Sequence, residues 1–172
     1  MNKIIIVSGQ AGVGKTTTAK LLLSNIDKSA YVEADSLAVV SPFIFNDDLV
    51  VLCLNNALSV ISNYFTAGYS TVIFSGFLGK QSQLDYLING IKDKSDIYLV
   101  WLEAQKEVRQ NRKKERNRDE SDQEKWLNFV DGLASENLHL VDMSKELCID
   151  TTYVTTGGIV EEILKFVMVA KS

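Results

Sequence analysis

Eight residues near the start of the chain, Gly9-Gln10-Ala11-Gly12-Val13-Gly14-Lys15-Thr16, leave few folds open to it. They follow the order G-x-x-x-x-G-K-[ST], a pattern that carries meaning only between a strand and a helix. Both flanks are present. Lys3 to Ser8 is a short β-branched run suited to a strand buried on both faces, and Thr17 to Asp27 carries Ala19, Leu22, Leu23 and Ile26 at helical spacing.

The residue types point to phosphate. Gly9, Gly12 and Gly14 permit backbone conformations closed to other residues, so successive N–H groups can point into one concavity that a helix N-terminus extends. Triphosphate oxygens are the matching ligand. Gly9, Gln10, Ala11, Gly12, Val13, Gly14, Lys15, Thr16 and Thr17 form the candidate ATP-binding set, with Lys15 reaching the β- and γ-phosphates. The Thr16 hydroxyl is the candidate ligand of Mg²⁺, an ion that takes few protein ligands and keeps several waters.

A length of 172 residues predicts one domain, 1–172, around a single core. Hydrophobic content of 46%, charged content of 23% and a mean hydropathy of +0.03 are those of an ordinary globular chain, and a net charge of −4 gives no reason to expect duplex nucleic acid as the partner. The longest apolar stretches read as strand-sized and no secretory h-region opens the chain, so no membrane contact and a cytoplasmic location are expected. Cys53, Cys148 and His139 are too few and too scattered for a disulfide framework or a zinc site. Both thiols are read as buried. A single histidine also argues against a Ser-His-Asp enzyme.

Along the chain, Ser29 to Leu37 predicts a second strand running into a loop, with Asp35 near its carboxyl end. Ligands of open parallel sheets bind outside those ends, so Asp35 should face the same crevice as the glycine loop. There it can accept or orient a substrate hydroxyl proton, with Glu33 as the alternative acid. A long helix from Asn46-Asp47-Asp48 to Ala67 follows, with Val50, Leu54, Ala57, Ile61 and Tyr64 on one stripe and Gly68 as its stop. The third strand, Ser70 to Ser75, ends on Ser75 where many nucleoside triphosphatases carry a metal-associated Asp, which weakens a hydrolytic motor reading. Gly76 and Gly79 fit either a strand-to-helix turn or close backbone approach to a ligand.

After a helix over Gln81 to Lys94 and a fourth strand over Asp96 to Leu102 comes the most charged segment. It holds every arginine of the chain: Arg109, Arg112, Arg116 and Arg118. Six cations stand against one anion between Arg109 and Arg118, and Arg109, Arg112 and Arg116 share helical spacing. Planar guanidinium forks beside a phosphate loop predict a phosphate-facing lid over about 109–125. A further stripe begins at Trp126, Phe129 and Val130. A fifth strand, Leu147 to Asp150, and a last helix with Ile159, Ile163, Phe166 and Ala170 on its core stripe complete an alternation of strand and helix that predicts a parallel α/β sheet.

The chain resembles the small P-loop kinases, the group of shikimate kinase, gluconate kinase, chloramphenicol phosphotransferase and the nucleoside monophosphate kinases. The likeness rests on the loop at 9 to 16, the acid of Val32-Glu33-Ala34-Asp35-Ser36-Leu37, the glycines after strand three, the arginines after strand four and Asp150-Thr151-Thr152. It implies a P-loop NTPase three-layer sandwich, a five-stranded parallel sheet in the order 2-3-1-4-5 with helices on both faces. It also implies MgATP as donor, Arg112 on the adenine side, Arg116 or Arg118 meeting the transferring phosphoryl group, and the segment from Thr151 near the base.

Lys15, Asp35, Arg116 and Arg118 are then the candidate catalytic residues. Between Asp35 and Gln105 the only cations are Lys80, Lys92 and Lys94, which favours a small uncharged or singly charged hydroxyl compound over a nucleotide as acceptor. Two other readings stand beside this kinase of alcohols: an ATP-binding switch or slow NTPase module, and a nucleotide or polynucleotide 5′-hydroxyl kinase. A monomer and a homodimer are both compatible with the sequence.

Overall fold

The computed structural model describes residues 2–76, 78–91, 95–115 and 138–169. In chain order the elements are β1 (Asn2–Gly9), α1 (Lys15–Asn25), β2 (Ser29–Glu33), a 3₁₀ turn (Ala34–Ser36), α2 (Asp47–Thr66), β3 (Thr71–Ser75), α3 (Gln81–Gly90), β4 (Ser95–Glu103), α4 (Lys106–Glu115), β5 (Glu146–Asp150) and α5 (Thr156–Val169). The five strands form one parallel sheet in the order β2-β3-β1-β4-β5. That is the expected order. The expected arginines Arg116 and Arg118, the stripe from Trp126 and the last-helix residue Ala170 lie outside the described residues.

β1 lies at the centre, and its side chains alternate between two cores. Ile4 and Ile6 join Val72, Phe74 and the buried stripes of α2 and α3 on one face. Ile5 and Val7 join Ala19, Leu22, Val100 and Ile163 on the other, under α1 and α5. Burial on both faces explains why the sequence shows a continuous apolar run there instead of alternation. Complete burial of each isoleucine contributes about 1.5–3 kcal/mol.

The helices follow their end signals. Asn46 caps α2 by accepting a hydrogen bond from the Leu49 amide at 2.9 Å, and Asp47 and Asp48 complement the dipole in its first turn. By length and composition this 20-residue helix is apolar enough to cross a bilayer, which corrects the reading of all apolar stretches as strand-sized. Its Val50, Leu54, Ala57 and Ile61 nevertheless pack into the sheet core. α1 begins at Lys15, two residues earlier than its apolar pattern, because Gly14 takes a left-handed conformation at φ 106° and turns the chain directly into the helix. Cys53 is half-buried and Cys148 is exposed, so the expectation of two buried thiols fails; Cys148 lies on β5, an edge strand.

Candidate active site

In a parallel sheet every strand delivers its following segment to the same edge, and the glycine loop is the segment that the central strand β1 delivers there. Gly9, Gly12 and Gly14 all have positive φ, at 133°, 87° and 106°. Gly12 is also a close approach: a Cβ there would lie 2.6 Å from the Arg109 carbonyl oxygen, so loop and α4 meet backbone to backbone. A Cβ at Gly14 would point into open space, the mouth of the loop. Lys15 Nζ spans that mouth by donating to the carbonyls of Gly9 at 2.7 Å and Gln10 at 3.0 Å. Gly14 offers α1 no side-chain cap. An ammonium and a helix N-terminus thus converge where an anionic phosphate would sit.

The Thr16 hydroxyl donates to Glu33 Oε1 at 2.9 Å. Glu33 is the last residue of β2, while Asp35 falls on the 3₁₀ turn and is exposed. The two acids therefore do not alternate along one strand. Glu33 is level with Ser75 in the β2–β3 register, and the Ser75 hydroxyl is 2.7 Å from the Tyr31 hydroxyl. The strand-end carboxylate missing from β3 is thus present one strand over, on β2. Burial pushes the Tyr31 phenol up from its ordinary value and the Glu33 charge adds to this, against an opposing hydrogen bond from Ser75, so the phenol stays neutral. A hydroxyl and a carboxylate are hard oxygen donors that fit Mg²⁺ with its remaining waters. No cluster of three or more His, Cys, Asp or Glu suited to a metal occurs among the described residues.

The arginines divide. Arg109, expected on a phosphate-facing side with Arg112, is only 4% exposed, and its guanidinium donates to the carbonyls of Ala104 at 3.2 Å and Ala11 at 3.3 Å. It fixes the back of the loop. Arg112 reaches Thr151, donating to its hydroxyl at 3.1 Å and its carbonyl at 2.7 Å. Thr151 itself is fully buried, and its hydroxyl lies 3.1 Å from the Val13 carbonyl and 3.0 Å from that of Glu103. One threonine therefore links the loop, β4 and α4. The sequence resemblance places this segment near the base and gives no sign of this role. Next to it, hydrogen bonds from the Thr152 hydroxyl and amide hold the Asp150 carboxyl below the usual carboxylate range.

On the opposite side of β1, the 3₁₀ turn bearing Asp35 is fastened to α2 by Cys53, whose thiol donates to the Ala34 carbonyl at 3.1 Å. Burial and, after it, the nearby Asp35 carboxylate push the Cys53 thiol up to about 11. Asn56 donates to the Leu37 carbonyl at 2.8 Å. Gly76, at φ 148°, leaves β3 against this turn, and a Cβ there would collide with that of Ala34. Its missing side chain serves packing between two exit segments, one of the two expected uses narrowed to a turn.

No protein-family model and no curated protein sequence matches the chain. Solved structures do. A sugar kinase from Janibacter sp., in an unliganded structure, superposes with a TM-score of 0.76 at 20% identity, covering 99% of this chain and 96% of that one. A gluconokinase from Sinorhizobium meliloti gives 0.73 at 17%, covering 96% and 91%. The APS kinase of Mycobacterium tuberculosis, in complex with AMPPNP and APS, gives 0.70 at 14%, covering 97% and 98%. The chain has the fold of the small P-loop kinases.

Proposed function

We propose that this protein is a phosphotransferase that moves the γ-phosphoryl group of ATP to a hydroxyl of a small molecule, within one domain. Of the expected lid over about 109–125, Arg109 and Arg112 serve the loop and Thr151 instead, and 116–125 lie outside the described residues. One observation carries the reading: Lys15 at the mouth of the glycine loop beside Thr16 hydrogen-bonded to Glu33, an ammonium and a hard-oxygen pair at one helix N-terminus. Kinase names among the structural neighbours support the reaction class.

The loop amides from Gly9 to Thr17 and the Lys15 ammonium bind and orient the triphosphate. Thr16 and Glu33 would hold Mg²⁺, which supplies charge neutralisation across the phosphates. The acceptor hydroxyl approaches from the β2–β3 side, where Asp35 accepts its proton. An O–P bond forms to the acceptor oxygen as the bond from the γ-phosphorus to the β,γ-bridging oxygen breaks, and ADP leaves with that electron pair. Arg116 or Arg118 is assigned to the transferring group, and Arg112, through Thr151, to the nucleotide side.

Initial ADP release with MgATP and a panel of sugars, sugar acids, neutral amphiphilic alcohols, nucleosides and oligonucleotides tests the reading. A small alcohol should raise ADP release at least tenfold, and wild-type Lys15 should be required. ATP binding with no acceleration by any acceptor would instead favour a nucleotide switch, and a preference for oligonucleotide 5′-hydroxyls would favour the polynucleotide alternative.

A further inference from the structure

We infer that the acceptor is an alcohol with an apolar body and no negative charge, seated on the segment between the 3₁₀ turn and α2. The inference rests on the phosphotransfer reading and names the class of molecule its acceptor side would take.

Two independent observations carry it. The first is charge. From Ser29 to Gly79 the chain contains no lysine, arginine or histidine, yet it contains Glu33, Asp35, Asp47 and Asp48. This stretch supplies β2, the Asp35 turn, α2, β3 and the first part of the β3 exit, and so one whole side of the crevice. Lys80, the first cation after it, lies 3.6 Å from Asp47. A carboxylate or phosphate on the acceptor would meet like charges on a stretch that carries no cation of its own. The repulsion grows as the acceptor displaces water from the site.

The second is surface. Loops are ordinarily polar where they face water, and a contiguous apolar patch marks a contact. Here the loop of residues 37–46 exposes Val39 at 85%, Phe43 at 58% and Ile44 at 61%, and Val51 and Leu52 of α2 are also exposed beyond it. The patch begins four residues after Asp35, on the sheet edge that carries the glycine loop. α2 and the 3₁₀ turn anchor its near end through Cys53 and Asn56. An apolar body packed there would bring a hydroxyl to Asp35, whereas a bare polyol would leave the patch in water.

The test compares acceptors that share hydroxyls and differ in one property. With MgATP fixed, ADP release is measured for methyl β-glucoside, for octyl β-glucoside below its micelle concentration, and for gluconate. Octyl glucoside should exceed both others at least tenfold in kcat/KM. Equal rates for the two glucosides, or gluconate as the best acceptor, would overturn the inference. In the triple variant V39S/F43S/I44S the advantage of the octyl chain should disappear while MgATP affinity is kept.

Binding of the neutral dye Nile red gives a second readout that needs no turnover. Octyl glucoside should displace the dye, and the triple variant should bind it at least fivefold more weakly. If MgATP binds but no alcohol is phosphorylated, the phosphotransfer reading falls and the dye experiment alone decides the patch. Failure of octyl glucoside to displace the dye would overturn the inference. So would capture of the wild-type protein, but not the variant, by phosphatidylcholine vesicles without any gain from octyl glucoside, since the patch would then be a bilayer contact.

Discussion

The two sides of β1 are built from different chemistry. On the β4–β5 side, Arg109, Arg112 and Thr151 tie α4, β4 and the residue after β5 to the carbonyls of the glycine loop, in a network of directed, at least partly buried hydrogen bonds. On the β2–β3 side, a thiol and an amide reach the Asp35 turn and the residue after it, and the loop that follows is apolar and exposed. Directed bonds suit a ligand that never changes, such as a triphosphate. Apolar surface fixes little about what it touches, and so suits a side where shape and charge decide.

If this division holds, substitutions on one side should leave the other intact. The largest effect is expected from Lys15→Ala, which removes the ammonium at the loop mouth; ADP release should fall on the order of a thousandfold. Asp35→Asn comes next. Phosphorylation of a good acceptor should drop about a hundredfold, while the Kd for MgATP, measured by calorimetry, stays within about twofold. A parallel loss of ATP affinity would show that the sides are not separate.

Thr151→Val is the mirror experiment. It strips a buried hydroxyl from two carbonyls and Arg112, which should lower stability by about 1–3 kcal/mol in urea titrations and weaken ATP binding roughly tenfold, with the acceptor KM unchanged. The smallest effect sharpens the geometry of Asp35. Because that carboxylate helps to raise the Cys53 thiol, Asp35→Asn should lower it and increase the thiolate fraction at pH 8.5. Alkylation of Cys53 by iodoacetamide should then quicken by a small factor, since burial, the larger cause, is untouched. No change would place the acid farther from Cys53 than the structure has it.

What could be read without coordinates was local. The glycine loop announces itself because its spacing, Lys15 and Thr16 are contiguous, and the sheet order follows from alternation of strand and helix together with a family resemblance. Glu33 shows why other parts escaped. Its closeness to Thr16 depends on β2 lying beside β3 in one register and on α1 crossing above both, and no window of sequence contains that. Arg109 misled for a related reason: i, i+3 spacing says which side chains share a face, but not whether that face looks toward a ligand or into the protein. Thr151 stands in a segment that the resemblance places near the base, but its link to the Val13 carbonyl carries no local signal, since a threonine after a strand is commonplace.

The bond between Thr151 and Val13 spans 138 residues, and this bears on how the protein folds. The sequence motif is complete at Thr16, yet its backbone is held by a residue that follows β5. Contacts of such separation close late because the intervening chain must be ordered first. Nucleotide binding should therefore appear as one of the last events of folding. A chain ending before β5 should contain the entire motif and bind ATP poorly.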